Sequence, residues 1–247
     1  MGPGSRVLEI GAGLGSLTLA LAETGADVVA VEVDRNLLPA LEEVLAGRDN
    51  VRVRHADALT ADWGVLLTDP GPWILVANLP YNVAVLVVLG VLEREPRVER
   101  LLVMVQREVG ERLVAPPGGS AFGGVTLRVA YRADAEVLRR VPPSVFWPRP
   151  GVDSVLVQLT RRPPPVSVVE SDLWPVVDEA FAQRRKTMRN ALVRLGLDRG
   201  GAVAVLQACG VDPSTRPERL GLKAFACLAE RVAAALGSGS TQADEPL

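Results

Sequence analysis

At 247 residues, 48% of them hydrophobic and 23% charged, the chain has room for one large α/β domain and a small appendage. It has no apolar run of about 18 residues that would read as a membrane span and no charged-then-apolar leader at Met1–Ser5. Besides His55 it has no histidine, and it has no C-x-x-C pair from which to build a metal centre. The net charge of −2 argues against a generic nucleic-acid binder, but the average hides an asymmetry. Residues 1–96 carry 6 basic and 13 acidic side chains, residues 97–200 carry 17 and 11, and residues 201–247 carry 4 and 5. Cys209 and Cys227 fall in separate apolar helical patterns, so two buried free thiols in a reducing cytoplasm are expected.

Taken in chain order, the first half alternates strand and helix. Arg6–Ile10 reads as a strand, followed by a glycine turn and a helix through Leu17 and Leu21. Val28–Val33 is a second strand, with a helix from about Arg35 to Ala46; Val51–His55 and the apolar Trp73–Asn78 are the third and fourth. A helix over Val83–Leu92 leads to a fifth strand, Arg100–Val105, and then to an amphipathic helix, Gln106–Val114. Such alternation predicts a mostly parallel sheet, doubly wound, with helices on both faces.

Beyond the Pro116-Pro117-Gly118-Gly119 break, Gly124–Tyr131 is open to two readings: Val125, Leu127 and Val129 alternate as in a strand, yet the stretch also suits a buried helix. Ala135–Val141 and Val155–Thr160 read as two further strands flanking a proline-rich turn, Pro142 to Pro150, which brings the expected sheet to seven strands. Arg161-Arg162-Pro163-Pro164-Pro165 is a stiff segment. It is the predicted boundary between a first domain, 1–162, and a small all-helical domain, 163–236, with helices at about 172–183, 187–195, 201–208 and 222–236. The small, polar residues 237–247 are expected to be disordered.

Chemistry concentrates at the strand ends. Glu9-Ile10-Gly11-Ala12-Gly13-Leu14-Gly15 joins the first strand to the first helix, and glycines at alternate positions let the backbone turn tightly and a ligand approach closely. A dinucleotide fingerprint would need glycine where Ser16 stands, so the acidic residue and tighter spacing suggest S-adenosylmethionine instead. Glu32 ends the second strand, where a carboxylate can bind ribose hydroxyls. Asp57, just past the third strand, can accept a hydrogen bond from an adenine amino group. Asn78-Leu79-Pro80-Tyr81 closes the fourth strand. There an amide and a backbone carbonyl can accept both protons of an exocyclic amino group, proline fixes the backbone, and the phenol offers a stacking face. Glu9 with its glycines, Glu32, Asp57 and Asn78 thus occupy four successive strand ends on one edge of the sheet.

These residues resemble those of the ribosomal RNA adenine N6-dimethyltransferases, in particular the bacterial 16S enzymes that confer kasugamycin sensitivity. The resemblance runs from about Ser5 to Leu220. It rests on Glu9–Thr18, Asn78–Tyr81, Met104-Val105-Gln106-Arg107-Glu108-Val109, Pro142–Ser154 and Phe181–Asn190. It implies a Rossmann-like class I methyltransferase domain followed by a helical one, in a cytoplasmic monomer using S-adenosylmethionine. Glu9, Gly11 and Gly13 would shape the methionine and ribose end of the cofactor site, Glu32 would bind the ribose, and Asp57 with Ala58 the cofactor's adenine, with Asn78 a cofactor contact as well. Asn78 and the Leu79 carbonyl would hold the target amino group beside Pro80, with Tyr81 and Phe146 sandwiching the base. The implied substrate is a pair of adjacent adenines near the 3′ end of 16S rRNA in the immature small ribosomal subunit.

Arg107 and Arg112 on one helix, Arg139, Arg140 and Arg149 around the Phe146 loop, and Arg184, Arg185, Lys186 and Arg189 are the candidate RNA contacts. Trp147 either stacks on a flanking base or packs within its loop, and packing is the expectation. The family carries a segment before the first strand that closes over the cofactor. Here that strand starts about five residues from Met1, so the segment is expected to be missing. Two other functions compete: a 23S rRNA adenine methyltransferase of the macrolide-resistance type, and a small-subunit assembly factor that binds without methylating.

Overall fold

The structure, a computed structural model, describes residues 1–239. Its strands are β1 (Arg6–Ile10), β2 (Asp27–Glu32), β3 (Val51–His55), β4 (Trp73–Asn78), β5 (Val98–Gln106), β6 (Ala133–Val141) and β7 (Ser154–Arg161). Its helices are α1 (Ser16–Glu23), α2 (Leu38–Val44), α3 (Trp63–Leu66), α4 (Ala84–Arg94), α5 (Arg107–Val114), α6 (Gly124–Arg132), α7 (Glu170–Ala182), α8 (Met188–Arg194), α9 (Arg199–Ala208) and α10 (Leu222–Gly239). The strands form one sheet in the order β3-β2-β1-β4-β5-β7-β6. The first five are parallel, while β7 runs antiparallel to both β5 and β6. This is the expected doubly wound, seven-stranded arrangement.

Burial explains the strands. Val7, Leu8, Val28, Ala30, Trp73, Leu75, Leu101 and Val103 are almost wholly removed from water, so consecutive residues are apolar, as befits strands covered on both faces. α4 shows the complementary helical spacing, burying Ala84, Val87, Val88, Val91 and Leu92 along one stripe. Its C-terminal end is held by Arg161. That guanidinium donates to the carbonyls of Val91, Leu92, Glu95 and Val98 at 3.0–3.3 Å, supplying partners to orphan carbonyls at the end of a helix. Arg161, the last residue of β7, thus ties the end of α4 to the sheet.

By packing, the chain divides into one unit of residues 1–114 and 132–162 and a second made of residues 115–131 and those from Pro163 on. The second unit includes α6, which resolves the two readings of Gly124–Tyr131 in favour of a helix and takes that segment out of the expected first domain. Leu127 and Tyr131, one helical turn apart, join Phe122, Leu173, Val177, Met188, Leu192, Leu206 and Phe225 in a separate core. The alternation in the sequence had no sheet to serve.

The expectation of free thiols is overturned as well. Cys209 at the end of α9 and Cys227 within α10 form a disulfide, with their α-carbons 5.9 Å apart. The two helices pack against each other, and 18 residues of sequence separation gave no sign of that. Of the tail expected to be disordered, residues 237–239 continue α10, and 240–247 lie outside the described residues.

Candidate active site

The strand order reverses between β1 and β4, and at such a switch point the loops leaving neighbouring strands part to form a crevice. The glycine turn sits there. Gly11 and Gly13 have φ of 79° and 57°, a left-handed backbone that a side chain would strain. A Cβ on Gly11 would lie 3.7 Å from Pro80 and 3.9 Å from the Asn78 carbonyl, so the turn runs directly beside the Asn78–Tyr81 segment. The Gly11 and Ala12 amides donate to the Val31 carbonyl, which ties the turn to β2.

Glu32, only 6% exposed, fastens the turn from the other side. Its Oε2 accepts from the Gly13 amide at 2.7 Å, and its Oε1 accepts from the Val33 and Asp34 amides at 2.9 Å. Three N–H donors fix the carboxylate, and Oε2 still has a lone pair to offer a ligand hydroxyl. Glu9, 1% exposed, lies beneath. Burial, with a smaller contribution from the Glu32 charge, pushes its carboxyl up to about 7, while the neighbouring Thr18 hydroxyl pulls the other way. Glu9 Oε2 and Thr18 Oγ1 are both buried without a well-formed hydrogen bond, an orphaned pair suited to a cationic or proton-donating ligand group.

A cavity of about 210 Å³ opens next to the turn, lined by residues that include Ile10, Gly11, Val31, Asp57, Ala58 and Pro80. Its walls come from the ends of β1 and β2, the loops after β3 and β4, which include Val83 just before α4, and Val87 of α4. Asp57 turns its loop by accepting from the Leu59 amide at Oδ1, and among the described residues its Oδ2 has no partner. A flat, apolar-walled slot with a carboxylate at its rim suits a purine. Val83 and Val87 carried no sequence signal beyond ordinary helical spacing.

A second cavity, about 300 Å³, lies across Pro80 and is lined by Asn78, Leu79, Pro80, Tyr81, Phe146, Trp147, Pro148 and Pro150. Leu79 is buried, and its amide donates to the Met104 carbonyl at 3.1 Å, while Asn78 is exposed. The Tyr81 hydroxyl lies 3.2 Å from Ser154 Oγ, which is itself fully buried at the start of β7. Ser154 enters the sequence motif only as its last residue; its tethering of the Tyr81 ring emerges from the packing of β7 beside β5. Phe146 is half-buried on the opposite loop. Trp147 does not pack, being 98% exposed.

The model of the family described as ribosomal RNA adenine dimethylase matches residues 1–232. The chain belongs to that family. A "Ribosomal RNA small subunit methyltransferase A" of Moorella thermoacetica is 44% identical over 238 residues, 92% of this chain and 83% of that protein. The protein of the same name from Thermobifida fusca is 48% identical over 234 residues, 92% and 80% of the two. Among solved structures, the 23S rRNA methyltransferase ErmE superposes with a TM-score of 0.70 at 27% identity, over 94% of this chain and 92% of that one. A dimethyladenosine transferase from Plasmodium falciparum gives 0.75 at 21% identity, over 97% and 92%, and shares the fold.

The basic residues of this dimethylase-family chain differ in how free they are. Arg112 bonds Glu108 at 2.9 Å and Arg107 lies 3.9 Å from Glu111, both one helical turn apart on α5. Arg184 donates to the Ser120 and Phe122 carbonyls at 3.0 and 2.8 Å, pinning the segment before α6. Arg185, Lys186 and Arg189 are exposed at the turn into α8, and Arg149 is exposed beside Trp147.

Proposed function

We propose that this chain transfers methyl groups from S-adenosylmethionine to the N6 amino groups of two adjacent adenines near the 3′ end of 16S rRNA, in the immature small subunit in the cytoplasm. The observation that carries the reading is that Pro80 lines both cavities, so a cofactor slot and an acceptor slot meet at Asn78–Tyr81. The left-handed Gly13 and the orphaned Glu9 fit the polar end of such a cofactor. Glu32 would hold its ribose, and Asp57 with Ala58 its adenine. When bound, S-adenosylmethionine supplies an electrophilic methyl group on a sulfonium.

The chain's own task is the acceptor. An adenine amino nitrogen is a weak nucleophile because its lone pair is delocalised into the ring. Accepting hydrogen bonds from both of its N–H groups, at the Asn78 side-chain oxygen and the Leu79 carbonyl, favours a pyramidal nitrogen whose lone pair is free to attack. Positioning and electrostatics then do most of what a strong base would otherwise do. Tyr81, steadied by Ser154, and Phe146 would hold the base between them, each stack contributing about 1–3 kcal/mol towards extracting it from RNA. Arg107, Arg112 and Arg149, and on the helical unit Arg185, Lys186 and Arg189, would meet phosphates, while Arg184 pins the segment before α6.

The 27% identity to ErmE keeps 23S rRNA as a second reading. A primer-extension map of methylated adenines on both rRNAs separates the two. Methylation near the 3′ end of 16S is expected, and a signal confined to 23S would overturn the first reading.

A further inference from the structure

The loop over the acceptor cavity carries a side chain that the proposed reaction does not use. Trp147 is 98% exposed, whereas Trp63 and Trp73 are buried and Trp174 packs edge-on against Tyr131. A lone exposed apolar residue needs no explanation, but this one is placed with care. It lines the same cavity as Asn78, Tyr81 and Phe146. Phe146, just before it, has an extended backbone (φ −108°, ψ 148°), so successive side chains leave it in opposite directions. One ring is half-buried and the next stands in water.

The surroundings favour RNA over a protein partner. Arg149 is exposed two residues on, and Arg139 and Arg140 are exposed on β6 at the base of the same hairpin. The acidic residues nearest in the hairpin are Asp153 and Glu136, and Glu136 faces Gln158. An exposed aromatic ring on a hairpin that also exposes arginines has the composition of single-strand binding surfaces, where ring faces hold bases and cations follow the backbone.

We propose that Trp147 is a stacking platform for the nucleotide that flanks the target adenine, so that the loop holds two consecutive bases, one inside the cavity beside Phe146 and one outside on the indole. The proposal rests on the reading of Asn78–Tyr81 as the adenine site. Stacking uses the face of a base and leaves its amino edge free. The platform therefore accepts a neighbouring adenine equally well before and after that adenine is methylated, as suits a substrate with two adjacent targets.

The test uses the whole chain and a fluorescein-labelled RNA hairpin with two adjacent adenines in its loop, alongside the same hairpin with an abasic residue at the flanking position. Trp147→Ala should weaken binding of the intact hairpin by roughly 5- to 100-fold. It should raise KM by a similar factor, leave kcat within about two-fold, and be largely rescued by Trp147→Phe. The abasic hairpin should cost the wild-type chain the same factor and cost Trp147→Ala nothing further, because one contact is removed in both cases. Unchanged binding by Trp147→Ala, full-strength binding of the abasic hairpin by the wild type, or losses that multiply would each overturn the proposal. Asn78→Ala run in parallel keeps the two readings apart: if it still methylates, the adenine site is wrong, while the Trp147 result is read from binding alone.

Discussion

In the cavity beside the glycine turn, most of the polar groups are held by the protein itself, while one oxygen each of Glu9 and Asp57 is left over. Glu32 is fixed by three backbone amides, the turn is tied to Val31, and Asp57 is committed at one oxygen to its own loop. Across Pro80, the cavity between Asn78 and Phe146 has one side-chain tether, Tyr81 to Ser154, and ends in a tryptophan standing in water. The first cavity is preorganised for a small ligand of constant shape, which reduces the ordering cost of binding. The second keeps its hydrogen-bonding and stacking groups uncommitted, as a site must when its ligand is a base extracted from a large RNA.

Damage on one side of Pro80 should therefore leave the other intact. The largest effect is expected from Asn78→Ala, which should lower methyl transfer by about 10²- to 10³-fold or more while cofactor affinity stays within several-fold. Tritiated-methyl incorporation and calorimetry measure the two, and undiminished turnover would break the assignment. Glu32→Ala is the converse. Removing a carboxylate that holds three amides and faces the ligand should weaken cofactor binding by roughly 10- to 100-fold, with RNA binding unchanged in a gel-shift assay.

A third experiment probes how dry the cofactor side is. Glu9 titrates at about 7 in the folded chain against 4.5 for a free carboxyl. Between those values the folded form keeps a proton that the unfolded form has released. Its contribution to stability is therefore full below pH 4.5 and falls as pH rises through 7, by roughly 2–3 kcal/mol between pH 5 and 8. Urea unfolding of the wild type should show that slope and Glu9→Gln should flatten it; parallel slopes would mean that water reaches the carboxyl. The smallest effect is expected away from both cavities. Arg185→Glu with Lys186→Glu should weaken RNA binding and reduce its log–log salt slope by roughly two, leaving cofactor binding untouched. Arg184 is best left out of that variant, since its bonds to Ser120 and Phe122 would confound folding with binding.

The strand ends were legible because their chemistry is local. Glu9, the glycines, Glu32, Asp57 and Asn78 each follow an apolar strand, and parallel pairing brings successive strand ends to one edge without further information. Three features depended on partners distant in sequence. Gly124–Tyr131 alternates like a strand but is buried by a helical unit whose other members begin at Pro163. Arg184 sits in a run of cations, and only its neighbours' carbonyls separate it from Arg185. Cys209 and Cys227 looked like isolated core residues until two helices packed side by side.

By itself, the sequence determined the alternation of strands and helices through β5, the glycine turn and the groups presented at the end of each strand, because backbone sterics and hydrophobic periodicity act over a few residues. Tertiary structure alone decided which polar groups are already committed and which stand free: Glu32 tied to Gly13, one oxygen of Glu9 buried without a well-formed hydrogen bond, Tyr81 tethered, Trp147 in water. Burial and hydrogen-bond partnership are properties of the packed chain: Gly13 reaches Glu32 across 19 residues, and Ser154 reaches Tyr81 across 73.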